Sequence, residues 1–282
     1  MARPGWAGKV KLPEKYGPWA VIAGASQGLG EAWAREAARR GFHVVLVARR
    51  GPLLRKLAAE IASTYGVATK VVVQDLEKPG ADERILSAAL GLDVGLVVYN
   101  AAKSLIGPFL DQPLASHRGE LAVNCAAPLG LVWHFGRLMK KKGRGGIILM
   151  SSLSCGQGSP LVAHYAATKA WNLILAEGLW HEWRPHGVDV LACVAGTVDT
   201  PAYRQSRPAA DMKPMEPRRV AREGMASLGK RPSVIAGFGN KLSGFAMRRL
   251  LPRRLAIGII GGALKKMYAD GPRGKRGASC CG

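Results

Sequence analysis

A doubly wound α/β fold, a parallel sheet with helices on both faces in a single domain, is predicted by three features of the 282-residue chain. Short apolar runs rich in Val, Ile and Leu alternate with longer stretches of helical periodicity. The runs are continuously apolar rather than alternating with polar residues, as expected of strands buried on both faces. The first run leads through a glycine-rich turn, Gly24-Ala-Ser-Gln-Gly28-Leu-Gly30, into the first helical stretch. Repeated units of this kind wind helices onto both sides of one sheet.

The elements follow in order. Residues 20–23 read as a strand and 28–40 as a helix; 44–48 as a strand and 53–65 as a helix; 71–73 as a strand, then a loop and a helix near 81–89. Residues 94–99 form a strand, 121–139 a long helix, 147–150 a strand, 165–183 a helix and 188–194 a strand. Beyond Thr200 the alternation stops. The Pro-, Ala- and charge-rich segment 201–217 reads as a mobile lid, and 242–268 as a basic, apolar stretch interrupted by Pro252. The chain therefore divides into a core over 1–202 and a lid with a basic extension over 203–282, within the same domain.

Composition narrows the possibilities. With 48% hydrophobic and 21% charged residues, the chain is neither disordered nor fibrous. The net charge of +22 is concentrated at the C-terminal end, where 203–282 carries 18 Lys/Arg against 4 Asp/Glu. Such an excess calls for an anionic neighbour, lipid head groups or nucleic acid. No aromatic–basic platform or reading helix supports nucleic acid. The interleaving of apolar residues with Arg pairs in 242–268 fits a membrane interface, a cover for a substrate mouth, or packing on a second subunit. Five cysteines, odd in number and without C-x-x-C, indicate neither a disulfide framework nor a structural zinc. The absence of H-E-x-x-H likewise leads to no expected metal. A cytoplasmic location, with peripheral membrane contact as an option, is the expectation.

The glycine turn between strand and helix lets backbone approach a pyrophosphate, with Ser26, Gln27, Gly28 and Leu29 around the free N–H groups of the helix start. The same residues also fit G-x-S-x-G, with Ser26 as a hydrolase nucleophile, although Gly30 is then unexplained. Some 20 residues past the glycines, where an acid would select NAD, the chain has Arg49 and Arg50. An arginine there pairs with a 2′-phosphate, so Arg49 is assigned to NADPH binding. Asp75, followed by Leu76, is placed to meet an adenine amino group or to cap a helix.

Residues 146–152 form a strand ending in Ser151-Ser152, and thirteen residues later comes Tyr165-Ala-Ala-Thr-Lys169. Tyr and Lys at i and i+4 share a helix face. A neighbouring ammonium, together with an oxidised nicotinamide ring, favours the phenolate, so Tyr165 is expected to become acidic enough to exchange a proton with a substrate oxygen, while Ser152 holds that oxygen.

Together these motifs resemble the short-chain dehydrogenase/reductase family over about residues 17–202. The resemblance maps the family's glycines to Gly24, Gly28 and Gly30, and its asparagine motif to Asn100-Ala101-Ala102, with Tyr99 and Ala102 replacing the usual Asn and Gly. It maps the catalytic set to Ser152, Tyr165 and Lys169, with Asn124 as the proton-relay asparagine. Ala195 to Thr200 replace a PGxVxT segment, with Val198 and Thr200 holding the carboxamide. The resemblance implies a Rossmann fold, NADPH/NADP+, hydride transfer to or from a carbonyl or secondary alcohol, and a homo-oligomer. It also implies that Lys169 holds the ribose and Asn124 positions a water. Lys15 to Ile22 and the basic extension resemble, more weakly, reductases of 3-oxoacyl thioesters or 17-ketosteroids, hence a lipophilic substrate. A nucleotide-loaded module that docks without turnover is the alternative.

Overall fold

The computed structural model describes residues 11–205 and 214–268. Seven strands, β1 (Trp19–Ala23), β2 (His43–Ala48), β3 (Thr69–Val73), β4 (Val94–Tyr99), β5 (Gly145–Ser152), β6 (Val188–Ala195) and β7 (Ser233–Ile235), lie in the order β3-β2-β1-β4-β5-β6-β7. Every pairing is parallel. The helices are α1 (Leu12–Tyr16), α2 (Gly28–Arg39), α3 (Gly51–Tyr65), α4 (Ala81–Ala88), α5 (Leu114–Leu121), α6 (Ala127–Lys142), α7 (Ala163–Trp183), α8 (Pro201–Gln205), α9 (Pro217–Ser227), α10 (Phe238–Phe245) and α11 (Arg253–Tyr268).

The continuous apolar runs are explained by two cores, one on each face. Ala20 and Ile22 of β1 pack in one cluster with α2, α3 and α9, whereas Val21 and Ala23 pack in the other with α4, α6 and α7. Successive side chains on a strand point to opposite faces, so a strand with helices on both sides has no polar face to show. Tight helix packing depends on small residues. A Cβ on Gly224 of α9 would overlap the Trp33 ring of α2, and one on Gly136 of α6 would overlap Trp183 of α7.

Two expectations change. The helix expected over 121–139 begins earlier, at Leu114, and is interrupted by a π-helical turn at Ala122–Ala126. Past residue 202 the sheet and its core continue, with β7 beside β6 and α9 packed on α2. The segment expected to be a mobile lid contains α8 at its start and reaches α9 at its end; its middle, 206–213, lies outside the described residues. Met215 is tied back by exchanging backbone hydrogen bonds with Thr197 and Asp199, at 2.9 Å each.

Strand order reverses between β1 and β4, and the crevice beyond their carboxyl ends is where such sheets bind ligands. Register aligns the ends: Ala23 pairs with Tyr99 and Ser152 with Ala195. Gly24, Asn100, Ser152 and Gly196 therefore emerge side by side.

Candidate active site

The glycine turn is built around close backbone approach. Gly24 has φ +84, and a Cβ there would lie 2.7 Å from the Ala101 backbone; a Cβ on Gly30 would overlap the Gly24 carbonyl. Asn100 Nδ2 donates to that carbonyl at 3.4 Å. Gly28, with φ +58, opens α2 beside Thr200. The turn is thus a tightly packed backbone cradle at a helix N-terminus, which fits a pyrophosphate.

Beside it lies a small pocket lined by Ser26, Arg49, Arg50, Asp75, Leu76 and Ala101. Arg50 reaches into the turn, donating from Nη1 to Gln27 Oε1 at 2.8 Å and from Nη2 to Ser26 Oγ at 2.9 Å. The second arginine thus makes the specific contacts with the turn, and Arg49 joins it in the lining. Ser26 receives a guanidinium hydrogen bond, and among the described residues no base is hydrogen-bonded to it, so the arrangement a hydrolase nucleophile needs is not found there. Asp75 Oδ1 accepts the Glu77 N–H at 3.0 Å, closing a turn while Asp75 also lines the pocket.

The second, larger cavity, about 500 Å³, contains Gln27, Gly28, Leu29, Asn100, Ser152, Tyr165, Lys169, Val198 and Thr200 in its wall. β5 and α7 are tied reciprocally at its base. Ser151 Oγ donates to the Lys169 carbonyl at 2.7 Å, and Lys169 Nζ donates to the Met150 carbonyl at 3.1 Å. The Tyr165 hydroxyl is hydrogen-bonded to Ser152. Lys169 Nζ lies 5.6 Å from the centroid of the Tyr165 ring. Serine, phenol and amine therefore share one wall, as expected from their spacing.

Burial shifts both groups towards neutrality. It pushes the Tyr165 phenol up to about 12, against the hydrogen bond from Ser152, and pulls the Lys169 ammonium down to about 8. Desolvation penalises the charged form of each. The acidification expected of Tyr165 needs an oxidised nicotinamide ring as well as the ammonium, and so belongs to the loaded site.

Asn124 sits in the π-helical turn and is completely buried. Its Oδ1 accepts the Lys103 N–H at 2.8 Å, and its Nδ2 donates to the Lys103 carbonyl at 2.8 Å and to Thr168 Oγ1 at 3.0 Å. The side chain thus clamps the loop after β4 to α7. Tyr99, in place of the usual asparagine, donates to the Val123 carbonyl of the same turn at 2.5 Å.

One wall was not assigned from sequence. Ile260, Ala263, Leu264, Met267 and Tyr268 of α11 close the cavity over Tyr165. Of the three roles left open for 242–268, this helix fills at least the covering of the cavity. Its apolar spacing of three to four residues was the available signal, but nothing in the sequence said which surface it would meet.

A glycine-rich dinucleotide cradle that shares a crevice with a Ser-Tyr-Lys wall defines a nicotinamide-dependent oxidoreductase. The chain belongs to the short chain dehydrogenase family, whose model matches residues 18–211. It is 38% identical over 238 residues, 82% of this chain and 90% of the other, to a 7beta-hydroxysteroid dehydrogenase of Collinsella aerofaciens. It is 33% identical over 224 residues, 76% of this chain and 66% of the other, to a very-long-chain 3-oxoacyl-CoA reductase of Pyricularia oryzae. A solved 7beta-hydroxysteroid dehydrogenase structure superposes with a TM-score of 0.85 at 36% identity, covering 89% of this chain and 99% of that one. The fold is shared with a Sphingobium yanoikuyae short-chain dehydrogenase in complex with NADPH, TM-score 0.73 at 24% identity, covering 83% of this chain and 93% of that one. The chain is thus an oxidoreductase of CH–OH groups.

Lysine amines followed by NMR are expected to show one that loses its proton as pH rises through about 8. That signal should vanish in Lys169→Met. If every amine titrates with the ordinary surface lysines, Lys169 is not desolvated.

Proposed function

We propose that this protein is an NADPH-dependent reductase, reversible as a dehydrogenase, of a bulky lipophilic ketone of the steroid class. The observation that carries this is the Tyr165–Ser152 pair at the base of a cavity walled by Ile106, Leu153, Val162, Ile260, Leu264 and Met267. A cavity of about 500 Å³ lies in the range of small-molecule sites, and its apolar lining favours a rigid hydrophobic ligand. The similarity to a 7beta-hydroxysteroid dehydrogenase supports a polycyclic alcohol over an acyl thioester.

The bound nicotinamide supplies or accepts the hydride. The chain's own residues do the rest. Ser152 donates a hydrogen bond to the substrate oxygen and Tyr165 gives that oxygen its proton, or takes it in the reverse direction. A phenol pushed up to about 12 stays protonated across the neutral range, ready to act as the acid in reduction. Lys169 holds the ribose, and its ammonium restores acidity to Tyr165 when charge is added to the site. Val198 and Thr200 hold the carboxamide. Asn124, whose side chain is fully engaged, acts through its backbone and its clamp on Lys103. Arg49 and Arg50 select the 2′-phosphate as two guanidinium groups in one small pocket.

The protein acts as a homo-oligomer. Leu129 and Trp133 on α6 and Ile174 on α7 are large apolar side chains left exposed on neighbouring helices. It also docks peripherally on anionic membranes. Residues 238–268 carry seven Lys/Arg and no Asp/Glu, and Phe238, Leu242, Phe245, Leu250, Leu255 and Ile259 are more than half exposed. Two such surfaces would repel each other, whereas an anionic leaflet satisfies both the charge and the apolar side chains. Among the described residues no helix is long and apolar enough to cross a membrane.

Tyr165→Phe is expected to lower kcat for 7-ketosteroid reduction by at least about 10²-fold while NADPH binding, read by fluorescence, is retained. Activity near that of the native protein would remove Tyr165 from the chemistry; no turnover of ketosteroids by the native protein would remove the substrate class. The double variant Arg49→Asp, Arg50→Asp should shift preference from NADPH towards NADH by about 10-fold or more. An unchanged ratio would assign the 2′-phosphate elsewhere. Vesicles rich in phosphatidylserine should pellet the native protein, neutral vesicles should not, and Arg249→Glu, Arg254→Glu should abolish pelleting. Equal pelleting of native and variant protein would rule out the membrane surface.

A further inference from the structure

Beside Tyr165, where the first turn of α7 meets α5, three side chains converge. His117 and Glu120 lie three residues apart on α5 and so share a face. His164 is the second residue of α7. Its Nδ1 lies 3.2 Å from His117 Nδ1 and 2.6 Å from Glu120 Oε2, and the three atoms lie within 4.8 Å of one another. His117 and Glu120 are buried, the latter with no exposed surface at all.

We propose that His117, Glu120 and His164 bind a divalent transition-metal cation of the zinc class, which staples α5 to the first turn of α7.

The outward atoms are already anchored as metal ligands require. His117 Nε2 lies 3.0 Å from the Phe109 carbonyl. A carbonyl only accepts, so Nε2 carries the hydrogen and Nδ1 presents its lone pair to the centre. Glu120 Oε1 accepts the Leu105 N–H at 3.2 Å, leaving Oε2 turned inward. Ligating imidazoles and carboxylates are held by outer hydrogen bonds of this kind.

The proton count inside the triangle does not close. A neutral His117 and an ionised Glu120 offer two acceptors to one proton on His164 Nδ1. Protonating His117 instead gives one lone pair two rivals: the new N–H needs His164 Nδ1 as acceptor, while Glu120 needs it as donor. Protonating Glu120 restores a single donor and strands another lone pair. A cation in place of the shared proton accepts all three lone pairs at once.

Charge points the same way. Among the described residues the one ion-pair partner of Glu120 is His164, and Lys169 acts on this buried carboxylate only at longer range. Two imidazoles and a carboxylate suit Zn²⁺, Co²⁺ or Fe²⁺ rather than Mg²⁺ or Ca²⁺. Tetrahedral ligands at about 2.1 Å stand about 3.4 Å apart. The two histidine nitrogens, at 3.2 Å, are nearly there, and the Glu120–His164 contact must widen. A cavity of about 30 Å³ lined by Gly107, His117, Leu161 and His164 adjoins the cluster, room for one water as fourth ligand. The same cavity wall holds Leu161, the one non-glycine residue with positive φ (+66) among those described, whose carbonyl accepts the Gly107 N–H at 2.8 Å.

The test uses the full chain without a polyhistidine tag, freed of metal by chelation and titrated with Co²⁺. One equivalent should bind, with the visible absorption of four-coordinate Co²⁺, and Zn²⁺ should displace it and raise Tm. Glu120→Gln and His164→Gln, on different helices, should each weaken Co²⁺ binding at least tenfold, with the circular dichroism spectrum and NADPH binding retained; if one fails to fold, the other decides. Absence of a saturable Co²⁺ spectrum, or a spectrum unchanged in a folded variant, would overturn the proposal.

Discussion

The constraint on which the rest depends is the contact between the Gly24 turn and the backbone of Ala101 across the β1–β4 crevice. Nothing larger than hydrogen is tolerated on Gly24 or Gly30 without moving backbone. Because the strands are parallel and in register, that contact sets the level at which all their carboxyl ends open. Ser152 at the end of β5 and Gly196 after β6 reach the same floor. The dinucleotide cradle and the proton-transferring wall thus share a frame fixed by sheet geometry rather than by loops.

The second level of organisation is a set of hydrogen bonds that hold α7 from three directions. Ser151 and Met150 bind it from the sheet, Asn124 from the π-helical turn, and Glu120 from α5. Their common result is that Tyr165 and Lys169 are held on one wall. Burial raises the phenol and lowers the ammonium, so each group resists its charged form. An environment that resists charge on either group responds strongly when charge arrives from outside.

Much of the fold was legible because its signals are local. Continuous apolar runs, a glycine turn between strand and helix, and the i, i+4 spacing of Tyr165 and Lys169 carry their own geometry. What the chain hid was relational. The π-helical turn at Ala122–Ala126 has no signature of its own, since it arises where Asn124 and Tyr99 pull backbone towards the loop after β4. β7 is three residues long and too short for periodicity. Choosing between Arg49 and Arg50 required knowing which one turns back towards Gln27. His117, Glu120 and His164 follow no spacing rule because two helices far apart in sequence bring them together. The role of α11 depended on which surface it covers, which composition does not specify.

That helix forms part of the cavity wall with one side and exposes Leu255 and Ile259 on another. Its seat is made by side-chain packing, because α11 contributes no strand to the sheet and follows the break at Leu251-Pro252. The outline of the cavity is therefore set separately from the frame that holds Ser152, Tyr165 and Lys169, and substitutions in α11 can reshape the one while leaving the other in place.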